Sequence, residues 1–157
     1  MSIAVYPGSF DPITLGHLDL VSRASRIFDQ VIMAIVNNPN KTPFIPLADR
    51  RQLVSDVVAP LENVTVVTFE GLTVSLAQKH EAHVLVRGLR AVSDFDYEVA
   101  MSQINHKLAC NIETVFLAAA LEYQFLSSSM IREVAQLGGD IHDMVPPLVN
   151  TYIQTRR

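Results

Sequence analysis

Val5-Tyr6-Pro7-Gly8-Ser9-Phe10-Asp11-Pro12-Ile13-Thr14-Leu15-Gly16-His17 is the stretch from which the fold of this chain can be read. An apolar strand, Ile3 to Tyr6, ends in Pro7-Gly8. The chain then turns through Asp11-Pro12 and passes Gly16-His17 into an amphipathic helix. The glycines let the backbone approach a ligand closely, since no Cβ intervenes. A helix opening just beyond them offers unpaired N–H groups and a positive dipole end, which together attract phosphate. Ser9 supplies a hydroxyl donor there and His17 an imidazole. A strand–turn–helix joint with a surface histidine is the bland alternative, and the ordered run of strand, Gly-Ser, Asp-Pro and Gly-His outweighs it.

Outward from this turn, strand and helix alternate. Leu18, Val21, Ala24 and Phe28 recur at helical spacing. Gln30 to Val36 is a continuous apolar run, as in a strand buried on both faces. Asn37 to Pro43 is a loop by its turn residues, and a helix entered at Pro46-Leu47-Ala48-Asp49 is stopped by Pro60. Val64 to Phe69 is a third strand, Thr73 to His80 a short helix, and His83 to Arg87 a fourth strand. A long helix from Asp94 to Leu108 takes Ser93 or Asp94 as its cap. Thr114 to Leu117, or on to Ala119, is a fifth strand. Ser127-Ser128-Ser129 opens a helix ending at Gly138-Gly139, and a last helix follows Pro146-Pro147. Five alternations predict an α/β fold: a single domain, residues 1–157, with a five-stranded parallel sheet and helices on both faces. Ligands of such sheets bind at the carboxyl ends of the strands, where strand order reverses. The GxGxxG dinucleotide fingerprint is absent.

Composition narrows the class. With 49% hydrophobic and 18% charged residues the chain is globular rather than disordered. No apolar run is long enough to span a membrane, no signal peptide is visible, and Cys110 is the only cysteine. A cytoplasmic protein with no membrane partner is expected. The formal net charge of −4 argues against nucleic acid as a partner. It leaves room for a nucleotide, for which a few well-placed cations suffice.

Those cations follow the strands. Ser9 and His17 come after the first strand, Lys41 after the second, and Gly71-Leu72-Thr73 after the third. Arg87-Gly88-Leu89-Arg90 comes after the fourth, and Tyr123 to Ser129 after the fifth. In a parallel sheet these loops open at one edge, so Lys41, Arg87 and Arg90 should converge with His17 and two helix N-termini. Such a cluster suits several phosphates, which arginine grips through paired donors. Taken singly, Lys41 reads as a solvated lysine and Arg87 as a partner of Asp94; the successive βα loops favour the joint reading. Asp94, Asp96 and Glu98 do not share one helix face, so no metal ligands are assigned. Asp94 reads as a cap or arginine partner, Glu98 as a ribose or phosphate-loop contact. His80, His83, His106 and His142 lack zinc-ligand spacing.

Gly8-Ser9-Phe10-Asp11-Pro12 with Thr14-Leu15-Gly16-His17 resembles the T/HxGH motif of the nucleotidyltransferase superfamily. Arg87 to Glu98, Lys41, and Phe125 to Ser129 ahead of Arg132-Glu133 resemble, more narrowly, the bacterial phosphopantetheine adenylyltransferase family. The resemblance implies adenylyl transfer from ATP to 4′-phosphopantetheine, giving dephospho-CoA and pyrophosphate in coenzyme A biosynthesis. By that resemblance Ser9, Lys41, Thr73 and Arg87 contact phosphopantetheine. Ser9, Phe10, His17, Gly88, Leu89, Arg90 and Glu98 contact ATP, as do Tyr123, Gln124, Phe125, Leu126, Ser127, Ser128 and Ser129. It further implies Mg²⁺ bound through the ATP phosphates, a homohexamer, and inhibition by coenzyme A. The catalytic set is His17, at the α-phosphate, with Lys41 bridging to the nucleophile and Arg90 on the β,γ-phosphates. The chain departs from the family pattern at Ser9 (often Thr), at Thr73 (usually apolar) and at Ala118 to Leu121 (usually more polar). Rival readings are a nicotinamide mononucleotide adenylyltransferase, a non-catalytic nucleotide sensor, and a Ser9/His17 hydrolase; the last lacks a GxSxG elbow.

Overall fold

The computed structural model describes residues 1–156; the side chains of Val92 and Ser93 also fall outside the described set. Five strands form one parallel sheet: β1 (Ile3–Gly8), β2 (Gln30–Val36), β3 (Val64–Phe69), β4 (Val84–Leu89) and β5 (Glu113–Ala118). Six helices connect or follow them: α1 (Leu15–Ile27), α2 (Leu47–Val58), α3 (Thr73–Lys79), α4 (Val92–Leu108), α5 (Ser128–Gln136) and α6 (Pro147–Gln154). The spatial order is β3-β2-β1-β4-β5, so the chain reverses direction of growth between β1 and β4. This is the reversal that opens a ligand crevice at the carboxyl edge of an α/β sheet.

The sheet is thin at that seam. β2 pairs with β1 from Ile3↔Gln30 to Gly8↔Ile35, and β5 with β4 from Val84↔Glu113 to Leu89↔Ala118. Between β1 and β4 the register is Ala4↔Val84 and Val5↔Leu85, after which the strands diverge. The expected first strand, Ile3 to Tyr6, therefore continues two residues further than its sequence suggests, through Pro7. Pro7 turns its carbonyl to Arg87 Nη1 (2.8 Å). Its missing N–H thus lies on the β4 side, where the ladder has already ended, and no bond is lost.

Core residues cover the two faces. One cluster gathers Leu20, Val21, Leu53, Val54, Ile131 and Val149 from α1, α2, α5 and α6 against Tyr6, Met33 and Val86. The other sets Val74, Leu76 and Ala77 of α3 against Val5, Ile32 and Leu85. Alternate residues of the central strands thus go to opposite layers, as the pleat requires.

Boundaries differ elsewhere too: β4 runs on to Leu89 rather than ending at Arg87, and β5 starts at Glu113 rather than Thr114. Helix α4 begins at Val92, with Ala91 as N-cap and no side-chain cap, rather than at Asp94 behind a Ser93 or Asp94 cap. Asp94 sits inside the first turn and accepts instead from the Arg90 backbone N–H and Nε. The arginine four residues back competes for the carboxylate that would otherwise cap the helix.

Candidate active site

The turn after β1 is built under strain and held from outside. Phe10 has φ 46°, a left-handed backbone that a bulky residue rarely adopts. Its ring is buried, edge-on to Tyr6 (centroids 5.2 Å) and to His17 (5.1 Å). Gly8 is required beneath it, because a Cβ there would come within 2.9 Å of the Phe10 ring. The Asp11 carboxylate accepts from the backbone N–H of Phe44 (2.9 Å) and Ile45 (2.8 Å), tying the turn to the segment before α2. Three side chains grip its carbonyls: Arg50 Nη1 to Ser9 (2.9 Å), Arg132 Nη1 to Asp11 (2.7 Å) and Ser128 Oγ to Pro12 (2.8 Å).

Helix α1 then starts with a capping box. The Thr14 hydroxyl accepts from the His17 N–H (3.2 Å), and His17 Nδ1 accepts from the Thr14 N–H (3.0 Å). Histidine here does what glutamate usually does in this motif. Because Nδ1 accepts a backbone N–H, the imidazole proton resides on Nε2, which is the donor left for the cleft. Burial, then the Arg90 and Arg87 charges, push the His17 pKa down from 6.5 to about 4. The ring is therefore a neutral donor at physiological pH. Tyr6 beside it is also neutral, since burial pushes its phenol well up.

His17 faces a cavity of about 420 Å³ at the β1/β4 seam. Its far wall carries two arginines, each tied to a carboxylate of α4. Arg87 donates through Nε (2.8 Å) and Nη2 (2.6 Å) to the two oxygens of Glu98, which is buried. These bonds move the Arg87 pKa upward, so it stays cationic. Three of its five N–H donors serve Glu98 and Pro7, which leaves two for a ligand. Arg90 binds Asp94 (3.2 Å) and the Leu126 carbonyl (2.7 Å). The alternative pairing of Arg87 with Asp94 is therefore replaced by Arg87–Glu98 and Arg90–Asp94. The floor is the start of α5, where Ser127 caps the helix by accepting from the Met130 N–H (3.2 Å).

The cleft collects most of the residues expected to share it. Ser9, Phe10 and His17 line it with Arg87, Gly88 and Arg90; Glu98 stands behind, and Tyr123, Leu126 and Ser127 to Ser129 complete it. Lys41 lines an adjoining basin of about 530 Å³ that shares Ser9, Ser128 and Ser129 with the cleft. Leu89, Gln124 and Phe125 line neither cavity, and neither does Thr73. Thr73 follows β3, two strands from the seam, or ~10 Å at the usual strand spacing. At the Ala118 to Leu121 departure, the Ala118 carbonyl accepts from Arg23 Nη2 (2.7 Å) and Ala119 lines the cleft. Tyr6, Thr14, Asp94, Tyr97 and Ala119 belong to the cleft wall without having been singled out for it from the sequence. Of these Thr14 carried a signal, three residues before His17 at a helix start, and so did Asp94, four residues after Arg90. Among the described residues no three His, Cys, Asp or Glu side chains group as metal ligands.

Residues 5–134 match the cytidylyltransferase-like family model. A phosphopantetheine adenylyltransferase of Nostoc punctiforme is 56% identical over 145 residues, 92% of this chain and 79% of that protein. One of Alkaliphilus oremlandii is 49% identical over 156 residues, 99% of each chain. A crystal structure assigned to a nicotinate-nucleotide adenylyltransferase of Vibrio parahaemolyticus superposes with a TM-score of 0.74 over 99% of this chain and 93% of its own. At 21% identity that likeness speaks for the fold alone. With the cleft, the turn and the arginine pair arranged as described, the chain belongs to the cytidylyltransferase-like family and, within it, to the phosphopantetheine adenylyltransferases.

Proposed function

We propose that this protein transfers the adenylyl group of ATP to 4′-phosphopantetheine, giving dephospho-CoA and pyrophosphate. The observation that carries the reading is the placement of a neutral Nε2–H imidazole at the start of α1, facing two arginines and a serine-capped helix N-terminus. The acceptor phosphate is already an anion at neutral pH, so no general base is needed. What the chain contributes is alignment of the two substrates and neutralisation of charge on the α-phosphate. His17 donates to the α-phosphate without adding a full charge. Arg87, steadied by Glu98, takes the acceptor phosphate with its two remaining donors. Arg90 and the free N–H groups of the α5 start take the outer phosphates. Lys41, from the adjoining basin, bridges the acceptor and the α-phosphate. Ser9 serves both substrates, since it borders both cavities.

Mg²⁺ fits as a passenger of the triphosphate: the nearby carboxylates, Glu98 and Asp94, are held by arginines. When bound, it neutralises charge on the phosphate oxygens. A homohexamer is also proposed. Helix α4 supports it, since Tyr97, Ile104 and Leu108 form an exposed apolar stripe at spacings of seven and four, 65%, 51% and 54% exposed. Coenzyme A, which shares the product's adenylyl-pantetheine body, is proposed as an inhibitor at this cleft. No described helix is long and apolar enough to cross a membrane, and a cytoplasmic location goes with this reading.

Dephospho-CoA formation from purified protein, ATP, Mg²⁺ and 4′-phosphopantetheine tests it, with nicotinamide mononucleotide as rival acceptor. Turnover of the nucleotide acceptor alone would overturn the assignment. His17→Ala should lower turnover by ~10²–10³, the usual cost of one well-placed donor. The fold should survive, because the Thr14 hydroxyl still accepts from the N–H of residue 17.

A further inference from the structure

Arg50 lies on α2, at the wall of the Lys41 basin rather than of the cleft itself, and 41 residues from the turn it touches. It is only 4% exposed, makes no ion pair with a carboxylate among the described residues, and its Nε has no hydrogen-bond partner there. A buried guanidinium without a counter-charge is a poor stabilising device. Among the described residues its side-chain hydrogen bond is Nη1 to the Ser9 carbonyl, at 2.9 Å. The helix carrying it is anchored by buried Leu53, Val54 and Val58, so the guanidinium is held on a firm base.

Ser9 immediately precedes Phe10, whose left-handed backbone persists only where its surroundings over-determine it. The Phe10 ring in turn stands edge-on to His17, 5.1 Å between centroids. A continuous line of contacts thus runs from Arg50 through the Ser9 carbonyl and the Phe10 turn to the imidazole.

We propose that Arg50 is a positioning residue: by holding the Ser9 carbonyl it fixes the Phe10 turn, and through the Phe10 ring the orientation of His17. The proposal deepens the adenylyl-transfer reading, on which its kinetic part rests. It treats the unpaired buried charge as a cost to stability retained for geometry, so stability and activity should move apart.

Arg50→Met keeps the apolar stem and removes the donor and the charge. Arg50→Lys keeps one donor on a point charge. Arg50→Met should melt at or above the wild-type temperature yet lose about 10–100-fold in kcat, the scale of a small misplacement of a reacting group. KM for ATP should change much less than kcat. The His17 imidazole resonances, followed by ¹⁵N NMR without ligand, should shift in Arg50→Met, and in the same direction but less in Arg50→Lys, which should recover part of kcat. Wild-type kcat in folded Arg50→Met would overturn the proposal. So would unmoved His17 resonances, or an activity loss that merely tracks lost melting temperature in both variants. Should Arg50→Met not fold, the His17 resonances of Arg50→Lys decide: displaced supports the proposal, unmoved refutes it. Should the wild type form no dephospho-CoA, the functional reading falls, and the ligand-free resonances still decide the role of Arg50.

Discussion

Asp11 offers a sharp test of how the phosphate turn is held. Its carboxylate is 7% exposed and accepts two backbone N–H groups, Phe44 at 2.9 Å and Ile45 at 2.8 Å. Asp11→Ala removes both acceptors and admits little water. An orphaned buried donor costs about 1–3 kcal/mol, so two cost about 2–6 kcal/mol. Ile45 is fully buried and Phe44 half-buried, so most of the loss falls on the Ile45 N–H. Asp11→Asn retains one oxygen but turns an NH₂ toward the other donor, which predicts about half the loss, ~1–3 kcal/mol. In a chain of this size 1 kcal/mol moves the melting temperature by about 2–4 °C. Calorimetry at one fixed protein concentration should therefore give drops of roughly 4–24 °C for Asp11→Ala and 2–12 °C for Asp11→Asn. The order matters more than the values: melting of Asp11→Ala within a degree of wild type, or above Asp11→Asn, would refute the reasoning.

Three further outcomes follow from the same geometry. The His17 ring, titrated by NMR without ligand, should show the Nε2–H form and a midpoint near 4, with no step near 6.5; a midpoint of 6–7 would contradict its packing, and rate profiles cannot substitute because the acceptor phosphate itself titrates at about 6. Since that pKa lies below its unfolded value, the unfolded chain takes up the proton first as pH falls. The stability His17 contributes is complete above about 6.5 and declines as pH drops toward 4, so the melting advantage of wild type over His17→Gln should shrink across that window. Gly8→Ala should be the worse of two glycine substitutions. Its Cβ meets the immobile Phe10 ring at 2.9 Å, whereas that of Gly88→Ala meets only the Leu20 Cδ1 tip, at 2.5 Å. Losses of ~1–3 kcal/mol and a larger fall in turnover are expected for Gly8→Ala, and the reverse ranking in parallel melts and assays would refute this.

The order of elements was legible because each strand is a short apolar run closed by a turn signal, and the helices between them open or close at Pro, Gly, Ser or Asp signals. Arg90 and Asp94, four apart at a helix start, could likewise be paired by spacing. The partner of Arg87 could not. Asp94 and Glu98 stand one helical turn apart, and which one meets Arg87 depends on how α4 leans across β4. Strand order was hidden for the same reason: nothing local to β4 says that it lies beside β1. That order decides which loops share the cleft, drawing Arg87 in while leaving Thr73 two strands away and Lys41 in the neighbouring basin. Arg50 gave no sign at all, being one arginine in a helix whose neighbour, Arg51, is exposed.

The short ladder between β1 and β4 has a mechanical consequence. Within the sheet, β3-β2-β1 and β4-β5 are paired at one end by two residue pairs and spanned further along by the Arg87 grip on Pro7, while both core layers cross the seam. A molecule wedged where the two sets of strands part touches both, and so acts as a rivet. The stretch of seam that lacks ladder bonds is thus the one where a bound substrate would supply the missing cross-links.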